Sequence, residues 1–148
     1  MNSKKLTIPV ILVLAAVMIS FAFHPAEAHT AKTFGNITVK IGWVNEPPLV
    51  GDTNGIQIFV YNGTSDSAPP IADTALDNMT VTVQYGGQTK TMDFEASDDT
   101  PGQYDSTIIP TQPGTYNVII KGTIDGVTIP PTTYTFEQVE AKDKYNFP

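Results

Sequence analysis

Residues 79–94 read MTVTVQYGGQTKTMDF and contain the clearest structural pattern in the chain. Its first half alternates apolar with polar residues, which is the period of a strand with one buried face. Gly86-Gly87 is a typical two-residue hairpin turn, and the apolar phase returns after it at Met92 and Phe94. The apolar positions before the turn are Met79, Val81, Val83 and Tyr85. The stretch therefore predicts a β-hairpin.

The same alternation recurs on both sides of this hairpin. Turns rich in Gly, Pro and Asp separate the alternating segments, and residues 62–78 form a polar stretch that predicts a long surface connection. Pro130-Pro131 should move the last strand to a sheet edge or a bulge. The other predicted strands lie at residues 37–43, 56–60, 104–108, 116–124 and 133–136. No mature segment has helical apolar spacing, so we expect an all-β fold, an immunoglobulin-like antiparallel β-sandwich of about seven strands.

The amino-terminal region has the three parts of a secretory signal. Lys4 and Lys5 precede an apolar run over residues 8–23, and Ala26-Glu27-Ala28 follows as an A-x-A cleavage site. The run is shorter than the roughly twenty residues that span a bilayer. We predict a signal peptide at 1–28, a sandwich domain at 29–137 and a charged tail at 138–148. An uncleaved membrane anchor is the alternative; either arrangement predicts a secreted or extracytoplasmic domain, at the cell surface or in a periplasm-like space.

Composition excludes several classes of function. The net charge is −7, the chain contains no arginine, and the lysines of the mature region are scattered along it. The sequence therefore lacks the clustered cations that bind nucleic acid. No cysteine is present, which removes disulfides, thiolate metal ligands and cysteine nucleophiles. Only His29 remains as a histidine after cleavage, and a terminal residue is poorly placed for general base catalysis. We therefore predict a protein that is not an enzyme, with no catalytic residues and no transmembrane segment in its mature form.

Two short motifs resemble exported Ig-like domains of bacteria and archaea. Gly102-Gln103-Tyr104 followed by residues 110–116, PTQPGTY, is similar to the rhythm G-x-Y then P-x-x-P-G-x-Y near the end of such domains. The resemblance implies a tyrosine corner at Tyr116, whose hydroxyl would bond to nearby backbone and fix the junction between the sheets.

Among those domains the chain resembles the CopC-like and YtkA-like families. The features shared with them are the signal peptide, a mature amino-terminal histidine and an early P-x-x-G-x-x-N turn, here Pro48 to Asn54. The resemblance covers most of the mature chain and implies copper binding. The CopC-like pattern includes at least one more histidine, whereas the mature chain has only His29.

His29 is the candidate metal ligand. Cleavage after Ala28 would leave it with a free α-amine beside its imidazole, and the two nitrogens can chelate Cu(II) in a five- or six-membered ring. Further donors would come from carboxylates or thioethers. The candidates are Asp93, Asp98, Asp99, Met79 and Met92. The alternative interpretations are an exposed, unstructured His29 and methionines that only fill the core.

Two functions follow from these observations. The first is an exported binding module that holds a copper ion through His29 for storage or delivery and has no other cofactor. The second is a structural or adhesive module of the cell envelope that binds protein or carbohydrate without metal. A second mature histidine would have favoured the first function.

Overall fold

The computed structural model describes residues 29–148. The predicted signal peptide, 1–28, lies outside the described residues. Within them the chain forms nine strands and one short 3-10 turn, η1. The strands are β1 Thr30–Phe34, β2 Ile37–Trp43, β3 Ile56–Asn62, β4 Met79–Tyr85, β5 Gln88–Thr91, β6 Glu95–Ala96, β7 Gln103–Asp105, β8 Asn117–Ile124 and β9 Val127–Thr135, and η1 spans Lys142–Tyr145.

These strands form two antiparallel sheets packed as a sandwich. The five-stranded sheet has the order β1-β2-β3-β7-β6, and the four-stranded sheet has the order β5-β4-β8-β9. The predicted all-β immunoglobulin-like sandwich is confirmed, and so is the hairpin across Gly86-Gly87, which joins β4 to β5. The strand count is nine rather than about seven, because β1 lacks a regular apolar phase and β6 has only two residues.

The core lies between the sheets and follows the predicted alternation. In β3, for example, Ile56, Ile58 and Val60 are fully buried, while the residues between them lie on the outer face. Trp43 is buried at the end of β2, as its apolar phase predicts. Burying apolar area of this kind supplies most of the stabilisation of a disulfide-free domain.

Tyrosine hydroxyls tie the sheets and loops together. The Tyr116 hydroxyl donates to the carbonyl of Gln112, at 3.1 Å, and accepts from the amide of the same residue, which confirms the tyrosine corner. The Tyr134 hydroxyl, on β9, donates across the sandwich to the carbonyl of Val39, at 3.1 Å. Burial raises the pKa of Tyr134 well above its ordinary value, so this phenol stays protonated as a donor.

The long connection between β3 and β4 is irregular, as predicted, and Tyr104 anchors it. The Tyr104 hydroxyl donates to the carbonyl of Ile71 at 2.9 Å and accepts from the amide of Ala75 at 3.1 Å. Ala75 is buried in the core. Two hydrogen bonds and one buried side chain therefore hold this loop against the rest of the domain.

Pro130 and Pro131 lie within β9, which is an edge strand of the four-stranded sheet. A register shift between Ile120 and Gly122 accompanies them in the neighbouring strand β8. Both features match the prediction, because proline cannot donate a bond to a central ladder.

The chain remains packed against the sandwich beyond Glu137. Val139 is only 2% exposed and exchanges two backbone hydrogen bonds with Gly114. Glu140 accepts from the amide of Val50 and donates to the carbonyl of Pro48. The first part of the segment predicted as a tail is therefore joined to the domain.

Two carboxyl groups lie near each other at the end of the sandwich that carries Trp43. Partial burial raises the pKa of Glu46 above its ordinary value of 4.5, and the carboxylate of Glu137 raises it further. The folded state therefore holds a proton on Glu46 at a pH where the unfolded chain has lost it. The stabilising contribution of the protonated form is present below the unfolded pKa and is lost as pH rises through the folded pKa.

We accordingly expect Glu46→Gln to raise the melting temperature at pH 7 by about 1–2 °C and to leave it unchanged near pH 3. The exposed Glu95→Gln is the charge-matched control and should change neither value by as much. Thermal unfolding followed by circular dichroism at the two pH values checks this prediction. An equal gain for Glu46→Gln at both would contradict it.

Candidate functional site

His29 stands on the outer face of the five-stranded sheet, immediately before β1. Thr30 pairs with Ile41, so the next residue pair along the ladder places His29 level with Gly42. Gly42 in turn pairs with Gln57 on β3. Because glycine has no side chain, the imidazole reaches across β2, and His29 Nε2 lies 3.2 Å from Gln57 Oε1.

Hydrogen bonds between side-chain amides and a carboxylate continue from Gln57 across the sheet. Gln57 Nε2 donates to Asp105 Oδ1 at 3.1 Å, and Gln103 Nε2 donates to Asp105 Oδ2 at 2.7 Å. Both carboxylate oxygens of Asp105 are thus engaged, which fixes the orientation of Gln57 and leaves its Oε1 to face His29. The imidazole is held by a chain of side chains from β3 and β7.

Aromatic rings flank this network on the same face. The His29 ring meets Phe59 edge to face with centroids 5.9 Å apart, and Phe59 stacks on Tyr61 at 6.4 Å with an interplanar angle of 13°. Partial burial raises the pKa of Tyr61 above its ordinary value of 10.0, although the nearby Lys40 opposes this rise. The half-buried imidazole is therefore packed as well as hydrogen-bonded, which differs from the exposed, unstructured His29 of the alternative interpretation.

The other candidate donors lie away from His29. Met79, Met92 and Asp93 line one cavity of about 250 Å³ together with Tyr104. Met92 and Asp93 follow β5 and lead into β6, which is four strands from β1, or roughly 19 Å at the usual strand spacing. Asp98 and Asp99 are exposed in the turn after β6. None of these five side chains is brought to His29.

The methionines agree with the core interpretation. Met92 is 7% exposed, and Met79 packs against the core cluster with Phe94. Within residues 29–148 no group of three or more His, Cys, Asp or Glu side chains is arranged to hold a metal ion. A metal at His29 would therefore need at least one ligand from outside such a cluster, for which the α-amine of His29 is a candidate.

Sequence reasoning missed the residues that surround His29. Gln57, Phe59 and Tyr61 lie on the outward phase of β3, where a solvated strand normally carries polar side chains. Two aromatic residues on that phase were the available signal. The link from Gln57 to Asp105 depends on the pairing of β3 with β7 and had no signal in the sequence.

Comparison with known proteins supports the fold. No protein-family model and no curated protein matches the chain. A solved structure of a DUF4426 family protein from Pseudomonas aeruginosa is similar to it, with a TM-score of 0.51, 15% identity, and coverage of 77% of this chain and 96% of that one. A second structure, of a protein described provisionally as a lipoprotein from Staphylococcus aureus, matches with a TM-score of 0.33, 10% identity, and coverage of 76% and 97%.

The first of these structures shares the β-sandwich fold, and neither description names the CopC-like or YtkA-like families. At 15% identity the similarity concerns architecture alone. No helix within residues 29–148 is long and apolar enough to cross a membrane.

Proposed function

We propose that the protein is an exported, non-catalytic binding module that holds Cu(II) through His29 at its mature amino terminus, for storage or delivery. The observation that carries the proposal is the contact between His29 Nε2 and Gln57 Oε1 at 3.2 Å. With Nε2 facing Gln57, the other ring nitrogen, Nδ1, is the one nearer the main chain of His29. Nδ1 and an α-amine on the same residue close a six-membered ring around a metal ion.

The surrounding network supports this assignment. A histidine that binds a metal usually donates its second ring N–H to a fixed acceptor, which sets the tautomer and the ring orientation. Gln57 Oε1 offers such an acceptor, and Asp105 holds the amide of Gln57 in place. Phe59 limits the rotation of the imidazole.

Copper is the metal favoured by these donors. Amine and imidazole nitrogens suit Cu(II), which also binds more tightly than other divalent first-row metals to a given nitrogen site. The α-amine exists only if the chain is cleaved after Ala28, so export and metal binding are parts of one proposal. The resemblance to CopC-like and YtkA-like domains agrees with this function.

Calorimetric titration with Cu(II) tests the proposal on the mature protein beginning at His29. The matched control carries one additional alanine before His29, which converts the α-amine into a peptide nitrogen and leaves the imidazole unchanged. We expect the added alanine to weaken binding by roughly a hundredfold, since it removes one ligand of the chelate. A second variant, Gln57→Ala, should weaken binding by about tenfold through loss of the acceptor that orients the ring.

Equal affinity with and without the added alanine would contradict the amino-terminal site. That result would favour the second function, a metal-free adhesive module of the cell envelope. The observation that favours this alternative is the stacked pair Phe59 and Tyr61 on the outer face, since aromatic rings on a flat sheet can stack against a sugar or a partner side chain.

A further inference from the structure

A cleft of about 580 Å³ opens beside the edge of the four-stranded sheet. One wall is the edge strand β5, and the other is the segment 107–112 that follows β7. Its volume lies within the range of roughly 300–1,000 Å³ that small-molecule sites occupy. The cleft is separate from the His29 network, because none of the residues lining it belongs to that network.

The cleft has an apolar lining. Val83, Tyr85, Ile108 and Tyr116 contribute side chains from the core cluster or from its border. Ile109, also in the lining, is 51% exposed and is one of the few large apolar side chains in residues 29–148 that remain open to solvent. Covering this surface with a hydrocarbon group would release water from it and favour binding.

Both walls of the cleft are held in place without a ligand, and β5 is held by its pairing with β4. The amide of Ile108 donates to the carbonyl of Asn54, and the amide of Gly51 donates to the carbonyl of Pro110. The hydroxyl of Tyr85, which lines the cleft, donates to the carbonyl of Pro113 at 2.9 Å. A preformed cleft needs little ordering when a ligand enters, which lowers the entropic cost of binding.

One cation faces this apolar space. In the β4–β5 ladder Lys90 pairs with Val83, so its side chain lies on the inner side of the sheet. The Lys90 ammonium makes no hydrogen bond or ion pair within the described part of the chain. No acidic residue among 29–148 lines the cleft, although the whole chain has 15 acidic residues and a net charge of −7. The charge in this cleft is therefore opposite to that of the protein as a whole.

A lysine directed inward on an edge strand can also serve to prevent pairing with other chains. That role requires only the charge on β5. It does not account for the apolar walls or for the exposed Ile109, and it predicts no bound ligand. The two roles therefore lead to different results in a binding experiment.

We propose that the cleft binds a monoanionic amphiphile, a molecule with a hydrocarbon body and a terminal carboxylate. The hydrocarbon part would lie between β5 and Ile109, and the carboxylate would pair with Lys90 Nζ. The proposal is independent of copper binding, since it uses no residue of the His29 network.

Octanoate and octan-1-ol are suitable probes, because they share a chain length and differ in charge. Titration of the mature protein followed by amide NMR shifts would report both affinity and location. We expect octanoate to shift the amides of 88–90 and 107–109 and to bind about fivefold more tightly than octan-1-ol. Lys90→Gln should remove this preference while leaving octan-1-ol binding unchanged.

Lys121→Gln is the matched control, since Lys121 is an exposed lysine on β8 outside the cleft. It should leave both affinities at the wild-type values. Ile109→Asp, at an exposed position, should weaken both probes, and the amide spectrum of each variant reports whether it is folded. Repeating the titration with the added amino-terminal alanine should give the same affinities, which separates this proposal from the copper site.

Three outcomes would overturn the proposal. They are the absence of shifts in the cleft amides with either probe, equal affinity for the two probes in the wild-type protein, and an octanoate affinity that Lys90→Gln does not lower.

Discussion

Replacing Gly122 with alanine is expected to lower the free energy of unfolding by about 4 kcal/mol, a large fraction of the stability of a domain this size. Gly122 follows the register shift in β8 and has φ +142°, a conformation that side chains rarely adopt. A Cβ there would lie 2.2 Å from the carbonyl oxygen of Asn78 and 2.9 Å from Cα of Met79. Both are backbone atoms, so relieving the clash requires β4 to move away from β8.

Substitutions at two other glycines separate the two contributions to this effect, which are backbone strain and the steric clash of the added Cβ. Gly126 has φ +80°, but a Cβ added there would meet no atom within 4 Å, so Gly126→Ala should lose only about 1 kcal/mol through backbone strain. Gly87 has equally open surroundings and no positive φ, and Gly87→Ala should change stability by about a few tenths of a kcal/mol at most. Urea unfolding followed by Trp43 fluorescence gives all three values. A loss for Gly122→Ala no larger than that for Gly126→Ala would show that β4 adjusts freely.

Gly122 also marks a boundary of what the sequence predicts. The strand that contains it was predicted from Tyr116, Val118, Ile120 and Ile124, and the effect of Pro130-Pro131 on the partner strand was predicted as well. Proline acts because it has no backbone N–H to donate, which is a property of the residue itself and can be recognised in the sequence. The closeness of Gly122 to Asn78 depends on the pairing of β4 with β8 and cannot be derived from local sequence.

The first strand, β1, was not predicted from the sequence, for a different reason. β1 has the sequence TAKTF, which offers one large apolar side chain at its end and no alternating core phase. It forms because the exposed edge of β2 provides a partner for it. Edge pairing of this kind is driven by backbone hydrogen bonds, and these leave no hydrophobic pattern in the sequence.

The candidate site was predicted only as a single residue. His29 was identified from the expected cleavage position, but its neighbours come from β3 and β7, far along the chain. The cleft gave a weaker signal: Gln88 and Lys90 occupy the phase of β5 that should carry apolar residues. A polar side chain on an inner phase indicates either edge protection or a binding surface, and only the position of the opposite wall distinguishes them.

Replacing Trp43 with alanine is the second change expected to have a large effect, with a loss of about 4 kcal/mol. Trp43 is 1% exposed and meets Phe136 and Tyr116 edge to face, with centroids 5.3 and 5.9 Å apart. Its Nε1 donates to the carbonyl of Glu137 at 3.1 Å. The substitution removes the largest buried side chain and leaves that carbonyl without its donor.

Trp43→Phe separates packing from hydrogen bonding, since it keeps an aromatic ring in the cluster and loses only the indole donor and some volume. We expect it to lose about 1–2 kcal/mol, measured like Trp43→Ala by urea unfolding with far-ultraviolet circular dichroism. Tyr145→Ala, at an exposed aromatic position, should lose far less.

Hydrogen exchange at the Val139 amide tests whether the loss of stability extends to the segment that follows β9. The Val139 amide donates to the carbonyl of Gly114 and lies just beyond Glu137, whose carbonyl Trp43 holds. If Trp43 fixes this segment onto the sandwich, Trp43→Ala should reduce protection at Val139 beyond the global loss of stability, and Trp43→Phe should reduce it less. Protection that falls only in step with global stability would mean that Val139 is held by its own burial. In that case the segment after β9 would be an independent part of the core, and Trp43 would act through packing alone.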